Sequence, residues 1–273
     1  MISIEMITKN DNNIEESINS ILGQEFSDYE IIIVDSSYED HSRTYQNNSK
    51  IKYIYEKDSN FLKARYLANR FAVGDYVLLL DSTRMLDELT LQDCFNLGEI
   101  YDMLVIPEVN RSKSFLLNQK VCYNIELSDV LKNCNPVNGK FVPRFYKKEI
   151  IDKAFEIVLD NIKKEVENIC ALEDRMLYLE ASKLSTKIGI CNNSIMHRES
   201  NSLLIYMRKY LKYGKCNYFV YSNINYYSHL ADPKVKSNNK KPLAEGKSLK
   251  NAILFGIRSV CFLVGFYTCK LSN

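Results

Sequence analysis

The sequence predicts an α/β fold with a mainly parallel sheet, because strand and helix patterns alternate along roughly the first ninety residues. Four apolar runs mark the strands, namely Ile2–Thr8, Glu30–Val34, Ile51–Tyr55 and Tyr76–Leu80. Runs of this kind are typical of strands that are covered on both faces, as a parallel sheet requires. Helix patterns lie between them, so the crossover connections should be right-handed.

The predicted helices carry start and stop signals. Residues 10–12 (NDN) can cap the first helix, which ends at Gly23. Its apolar residues recur at helical spacing: Ile14, Ile18, Ile21 and Leu22. A second helix is predicted from residue 60 to residue 73, just before Gly74.

Two of the four strands run directly into a lone carboxylate. Asp35 follows the second strand and Asp81 follows the fourth. Open α/β sheets bind ligands at the carboxyl ends of their strands, so both side chains are candidate ligand contacts. Asp is also common in turns and helix caps, which leaves either residue ambiguous by itself. The repetition at two strand ends favours a ligand site.

The rest of the chain has weaker patterns. Further strands are predicted at residues 103–106, 139–146 and 187–190, and further helices at residues 149–164, 171–183 and 202–213. Residues 231–248 are polar and hold two of the five prolines, which predicts a linker or an exposed loop.

Residues 251–269 are nearly all apolar, with Lys250 and Lys270 at either end. Their length approaches the roughly 20 residues of a membrane span, but Arg258 lies near the centre. Contact with a membrane surface or with a partner, including a second copy, is therefore favoured, since a helix in the interface lets the arginine reach water. A helix docked on its own domain and a true span are the alternatives.

Composition excludes several classes of protein. A formal net charge of +2 over 273 residues is too small for a nucleic-acid-binding surface. The eight cysteines form no C-x-x-C pair, so reduced thiols are expected rather than a zinc site or a disulfide scaffold. The chain opens directly on a strand pattern, which predicts no signal peptide and a cytoplasmic location, with the apolar segment placing it on the inner face of the membrane.

Five segments, in this order, resemble glycosyltransferase family 2. Residues 6–42 (MITKNDNNIEESINSILGQEFSDYEIIIVDSSYEDHS) resemble its opening strand, first helix and V-D-D-G-S-x-D segment. Residues 61–85 (FLKARYLANRFAVGDYVLLLDSTRM) resemble its A-R-N-x-G helix, G-D-Y turn and L-D-x-D strand end. FVPRFYKKEIIDKAF resembles the segment before the acceptor site, ALEDRMLYLEASKL the E-D-x-D-L helix, and YMRKYLKYGK the basic-aromatic helix near the acceptor end.

The resemblance implies a GT-A fold, Rossmann-like and with helices flanking the sheet, over residues 1–215. Residues 1–90 would be the nucleotide-binding half, residues 91–215 the acceptor half, and residues 216–273 a helical C-terminal extension. It also implies an inverting glycosyltransferase that moves a sugar from a nucleoside-diphosphate sugar to a hydroxyl of a glycan or lipid-linked glycan. The alternatives are a non-catalytic GT-A domain that binds nucleotide, glycan or an active partner, and transfer to a polyprenyl phosphate.

Residue by residue, the resemblance assigns donor contacts. Asp35 would accept hydrogen bonds from the base or ribose, and Arg65 matches the arginine of the A-R-N motif. The full set of predicted nucleotide-sugar contacts is Thr8, Asn10, Asp35, Arg65, Asp81 and Arg84.

The predicted general base is Asp174, the aspartate of the family's E-D pair. In an inverting transfer, a carboxylate takes the proton of the acceptor hydroxyl as the new bond forms. Glu173 and Asp174 could instead be ordinary first-turn helix acids, which the helix dipole favours.

A divalent cation, Mg²⁺ or Mn²⁺, is implied at Asp81, with His197 as an additional ligand. The family's second aspartate, which usually ligates this metal, is Thr83 here, and the family's V-D-D reads V-D-S at Ser36. A neutral hydroxyl is a weak ligand for a hard dication, so weak metal binding is expected. The cations that would otherwise offset the leaving-group charge are Arg84, Arg208, Lys209 and Lys212.

Overall fold

The computed structural model describes residues 1–40, 43–114, 117, 132–137, 141–233 and 249–272. Its strands are β1 Ile2–Thr8, β2 Tyr29–Asp35, β3 Ile51–Tyr55, β4 Tyr76–Asp81, β5 Arg84–Leu86, β6 Met103–Val105, β7 Glu108–Arg111, β8 Phe145–Lys147, β9 Ile188–Ile190 and β10 Ile195–Arg198. Its longer helices are α1 Ile14–Leu22, α2 Phe61–Phe71, α3 Thr90–Gly98, α4 Lys148–Ile162, α5 Glu173–Leu184, α6 Leu203–Asn223 and α7 Leu249–Ser272. Short helical turns cover Arg43–Asn47, Lys163–Asn168, Asn225–Tyr227 and Ser228–Ala231.

Within the described ranges the strands form two sheets. The larger has the order β3-β2-β1-β4-β8-β6-β9, in which β3, β2, β1 and β4 are mutually parallel and β8 is antiparallel to both neighbours. The smaller has the order β5-β10-β7. The predicted α/β class and mainly parallel sheet are confirmed.

The large sheet is covered on both faces, as the apolar runs predicted. Alternation along β1 divides its side chains, so that Ile4 packs with one buried cluster that includes α1 and α3, and Ile7 packs with another that includes α2, α4 and α5. Strands β1, β2 and β4 therefore bury both faces, whereas the edge strand β3 is partly exposed.

Several elements differ from the sequence prediction. Residues 139–140 of the strand expected at residues 139–146 lie outside the described residues, and the described part forms a strand only as β8, because Pro143 precedes it and cannot donate to a ladder. The sequence pattern did not predict α3, β5, β7 or β10. The three strands among them, β5, β7 and β10, are too short or too polar to show the alternation of a strand. Helix α6 continues ten residues past its predicted end at 213. Most of the predicted linker, residues 234–248, lies outside the described residues.

The C-terminal segment is helical, as expected, and α7 packs side by side with α6. Arg258 lies 4.9 Å over the Tyr210 ring, and the Phe266 ring lies 5.4 Å from the Tyr218 ring. The second contact is eight residues further along both helices than the first, so α6 and α7 run parallel. The predicted domain boundary at residue 215 falls inside the continuous helix α6, and the division into domains stays a prediction.

Two glycines let these helices approach closely. A Cβ on Gly214 would lie 2.1 Å from the carbonyl oxygen of Phe262, and one on Gly265 would lie 2.1 Å from that of Leu211. Such separations are far inside van der Waals contact, and small residues at a helix crossing allow this kind of backbone approach.

We expect Gly265→Ala to lower the melting temperature, because the added methyl must push α7 away from α6. Overpacking costs about 1–3 kcal/mol, which corresponds to roughly 2–10 °C for a chain of this size. Gly256→Ala is the matched control, since its Cβ would meet none of the described atoms within 4 Å and alanine favours a helix. Equal melting temperatures for the two variants, measured by circular dichroism, would contradict the close packing.

Candidate active site

The carboxyl ends of three adjacent strands bring predicted site residues to one edge of the large sheet. In the ladder, Thr8 of β1 pairs with Asp35 of β2, and Ile7 pairs with Asp81 of β4. Thr8, Asp35 and Asp81 therefore lie side by side, at the edge where open α/β sheets bind ligands.

Asp35 is fully buried and held by two donors. Its Oδ1 accepts from the Ser37 backbone N–H at 2.9 Å, and its Oδ2 accepts from the Tyr53 hydroxyl at 3.0 Å. The same hydroxyl also lies within hydrogen-bond distance of Asp40 Oδ1, so its single proton is shared between the two carboxylates. Burial and the two carboxylates together raise the pKa of Tyr53, so its hydroxyl stays protonated as a donor. These contacts orient the carboxylate without neutralising it.

The loop after β1 is joined to the loop after β2. Asn10 adopts a left-handed backbone conformation with φ of 54°, which asparagine tolerates better than most residues. Its N–H donates to the Ser37 hydroxyl at 2.7 Å, and its Oδ1 accepts from the Tyr38 N–H at 3.1 Å. Arg198 of β10 adds a bidentate contact to Asp11, at 2.9 and 2.8 Å. Asn10 is thus positioned beside the Asp35 strand end.

Asp81 lies between two arginines. One carboxylate oxygen accepts from Arg65 of α2 and the other from Arg84 of β5. Arg65 is buried, and its Nε lies 3.7 Å from Glu173 Oε1. Arg65 therefore links the end of β4 to the start of α5.

Two further residues, Glu108 and Arg144, complete this cluster and were missed by sequence reasoning. Glu108 accepts from Arg84 Nε at 3.1 Å and from Arg144 Nε. Burial by itself would raise the pKa of Glu108, but the guanidiniums of Arg144 and Arg84 outweigh it and lower that pKa well below its usual range. The one signal available in the sequence was the arginine of the FVPRFY segment, to which no role was assigned.

Glu173 and Asp174 begin helix α5. The preceding residue, Leu172, has φ of 74°, a left-handed conformation that is rare for leucine and found chiefly where the surroundings enforce it. Asp174 is half-buried and accepts from the Arg175 N–H at 2.8 Å. Burial, and then the charge of Asp174, raise the pKa of Glu173 to about 7. The two carboxyl groups thus differ in environment, as an acid–base site requires.

His197 of β10 pairs in register with Arg84 of β5. Its Nδ1 lies 2.8 Å from Asn110 Oδ1. Burial, and then the charges of Arg84 and Lys209, lower the pKa of His197 to about 2, so the ring is neutral. In the described part of the chain, no group of three or more His, Cys, Asp or Glu side chains is arranged to hold a metal ion. The metal prediction at Asp81 and His197 stays a prediction.

The other suspected cations lie on α6. Lys209 pairs with Glu199 at 3.2 Å, Lys212 lies 5.7 Å over the Phe61 ring, and Arg208 is exposed. The cations that contact Asp81 and Glu108 are instead Arg65, Arg84 and Arg144.

Residues 3–98, which include Asp35, Arg65 and Asp81, match the family model described as Glycosyl transferase family 2. This region belongs to glycosyltransferase family 2. A curated relative is 26% identical over 158 residues: poly(ribitol-phosphate) beta-N-acetylglucosaminyltransferase TarP of Staphylococcus aureus strain N315. That alignment covers 53% of this chain and 47% of TarP, so it spans about half the length of the relative.

Solved structures of S. aureus TarS share the fold of this chain. TarS 1-349 aligns over 97% of this chain and 80% of its own length, with a TM-score of 0.53 and 16% identity. Its complex with UDP-GlcNAc aligns over 87% of this chain and 71% of its own, with a TM-score of 0.55 and 16% identity. The predicted GT-A fold is confirmed.

Proposed function

We propose that this chain is an inverting glycosyltransferase that moves a sugar from a nucleoside-diphosphate sugar to a hydroxyl of a glycan or lipid-linked glycan. The observation that carries the proposal is the convergence of three groups in a chain whose residues 3–98 match family 2: the ladder through β1 brings Asp35 near Asp81, and Arg65 links Asp81 to Glu173 of the Glu173–Asp174 pair. We propose a UDP-sugar, specifically UDP-N-acetylglucosamine, as donor, because TarP is named for N-acetylglucosamine transfer and TarS is described in complex with UDP-GlcNAc.

Each residue then has a distinct task. Asp35, fixed by Ser37 and Tyr53, accepts hydrogen bonds from the base or ribose of the donor. Asp174 takes the proton of the acceptor hydroxyl while that oxygen attacks the anomeric carbon. The bond between the anomeric carbon and the diphosphate oxygen breaks, and its electron pair leaves with the nucleoside diphosphate.

The experiment is a thermal-shift and product-release screen of the full chain with UDP-, GDP- and dTDP-sugars. We expect UDP-N-acetylglucosamine to raise the melting temperature most and to release UDP when an acceptor glycan is present. A chain that none of these donors stabilises would contradict the proposal.

One observation favours a second candidate, a non-catalytic GT-A domain that binds nucleotide, glycan or an active partner. The second aspartate of the D-x-D signature that the family resemblance implies is replaced here by Thr83, which lacks a carboxylate. Stabilisation by UDP without product release from any donor and acceptor would favour this candidate. The third alternative, transfer to a polyprenyl phosphate, would not need Asp174 as a general base, because an ionised phosphate acceptor has no proton to remove.

We further propose that the protein is cytoplasmic and lies on the inner face of the membrane, with α7 on an anionic lipid surface. Residues 250–269 of α7 are long and apolar enough to cross a membrane, and most of this helix is exposed. Its large exposed side chains are Ile253, Phe255, Val260, Leu263, Val264 and Tyr267. A patch of this kind on one helix marks an interaction surface.

The charge composition of the two packed helices suits anionic lipid. Neither α6 nor α7 contains Asp or Glu, whereas together they carry seven cations, namely Arg208, Lys209, Lys212, Lys215, Lys250, Arg258 and Lys270. Because α6 packs along α7, a bilayer crossing by α7 would draw the cations of α6 into hydrocarbon, which is costly. A helix in the plane of the interface leaves them at the headgroups.

We expect the full chain to co-sediment with vesicles of 30% phosphatidylglycerol in phosphatidylcholine, and less so at high salt. Replacing Val260 and Val264 by glutamate should abolish this binding. The matched control replaces Val73 and Ile100 by glutamate. Both are exposed apolar residues outside α6 and α7, so this variant should bind vesicles as the unaltered chain does. Failure of the unaltered chain to sediment, with a dimer in light scattering, would replace lipid by a second copy as the occupant.

A further inference from the structure

The residues around Asp81 are a poor match for a divalent cation. Both Asp81 oxygens already accept hydrogen bonds from arginines, Arg65 and Arg84, and Thr83 offers a neutral hydroxyl in place of a second carboxylate. A dication here would face two guanidiniums with one charged ligand, whereas hard cations bind more tightly as charged oxygen ligands are added.

His197 does not supply the missing ligand field. Its Nδ1 pairs with Asn110, and Arg84 lies beside it in the ladder. A dication bound at this ring would lie close to the Arg84 guanidinium, and the repulsion between two positive groups grows with the charge of the ion.

A fixed positive charge occupies the same place. Glu108 holds Arg84 through Nε and Nη2, at 3.1 and 3.5 Å, and also accepts from Arg144 Nε. The hydrogen bonds of this cluster join three guanidiniums, Arg65, Arg84 and Arg144, to two carboxylates, Asp81 and Glu108, which leaves a net charge of +1 on these five side chains. The side chains of Arg84 and Arg144 are mostly buried, at 11% and 15% exposure, so that charge is weakly screened.

We propose that Arg84 and Arg144, oriented by Glu108, bind the diphosphate of the donor and stabilise the departing nucleoside diphosphate in place of a metal ion. This inference rests on the proposed function. Guanidiniums bind phosphate oxygens in a bidentate geometry, and preorganised donors aimed at developing charge stabilise the transition state. In the transfer, the anomeric carbon–oxygen bond breaks toward the diphosphate, and its new negative charge forms beside these two side chains.

The test is calorimetry of UDP and of uridine with the full chain, in buffer with EDTA and in buffer with Mn²⁺. We expect UDP to bind in EDTA roughly tenfold more tightly than uridine or better, since a hydrogen bond to a charged group contributes on that order. Mn²⁺ should change the UDP affinity by less than about threefold on the same scale.

Variants locate the charge. Arg144→Ala should reduce UDP affinity roughly tenfold or more and leave uridine affinity unchanged. Arg144→Lys should retain part of the UDP affinity, because an ammonium keeps the charge but lacks the planar fork. Arg70→Ala is the matched control, an exposed arginine in the last turn of α2. If Arg144→Ala does not fold, the test is the ratio of UDP affinity to uridine affinity in Arg144→Lys, which should be lower than in the wild type.

Two results would overturn the inference alone: UDP binding that requires Mn²⁺, or an unchanged UDP-to-uridine ratio in the Arg144 variants. A wild-type chain that binds neither UDP nor uridine in either buffer would overturn the proposed function as well. The two failures are therefore distinguishable.

Discussion

Asp174→Asn should lower the rate of sugar transfer by roughly 10²–10⁴-fold while donor affinity stays unchanged. Asparagine keeps the size of the side chain and the oxygen that accepts from the Arg175 N–H, so the start of α5 should be preserved. It cannot take the proton of an acceptor hydroxyl. The measurement is the rate of UDP release with acceptor present, alongside calorimetry of UDP binding.

A neighbouring carboxyl group complicates this variant and supplies its control. The charge of Asp174 helps to raise the pKa of Glu173 to about 7, so removing it lowers that pKa and leaves Glu173 more ionised at neutral pH. Glu173 could then act as a poor substitute base. The double variant Glu173→Gln, Asp174→Asn removes that route and should be at least as slow as the single variant.

Asp160→Asn, on the exposed side of α4, is the control for a lost surface carboxylate and should transfer at the wild-type rate. Full activity of Asp174→Asn would contradict the assignment of the base. It would favour an acceptor that is already ionised, such as a polyprenyl phosphate.

Asp35→Ala should abolish detectable donor binding. The substitution removes the acceptor for the base or ribose and leaves the Ser37 N–H without its buried partner, whereas the Tyr53 hydroxyl keeps Asp40 as an acceptor. Loss of a charged acceptor costs about 1.5–3 kcal/mol, or roughly 10- to 150-fold in affinity. Calorimetry with UDP measures the effect directly.

Asp35→Asn separates charge from shape at this position. It keeps one oxygen and similar packing, so we expect weaker UDP binding than in the wild type and better folding than in the alanine variant. Asp28→Ala is the matched control, because Asp28 directly precedes the same strand, at the end of the sheet opposite to Asp35. UDP affinity that is equal in Asp35→Ala and wild type would place the nucleotide elsewhere.

Local pattern was sufficient for the parallel half of the fold. The runs that became β1, β2 and β4 are buried on both faces, and such strands must be apolar whatever packs against them, so their composition is visible in one sequence. The short strands of the second sheet carry mixed residues, since each is supported by neighbours distant in the chain. Strand β10, for instance, pairs with β5 and β7 across about 110 and 90 residues, which no local period encodes.

The candidate site divides in the same way. The sequence by itself placed Asp35 and Asp81 at strand ends and Asp174 at a helix start, because strand and helix termini are local features. Only the tertiary structure decided which cations meet them. Arg144 and Glu108 come from separate segments and join Arg84 at one point, whereas Arg208 and Lys212, which the sequence favoured equally, lie elsewhere. A guanidinium's role depends on the carboxylates that surround it after folding, and that arrangement is a property of the packed chain.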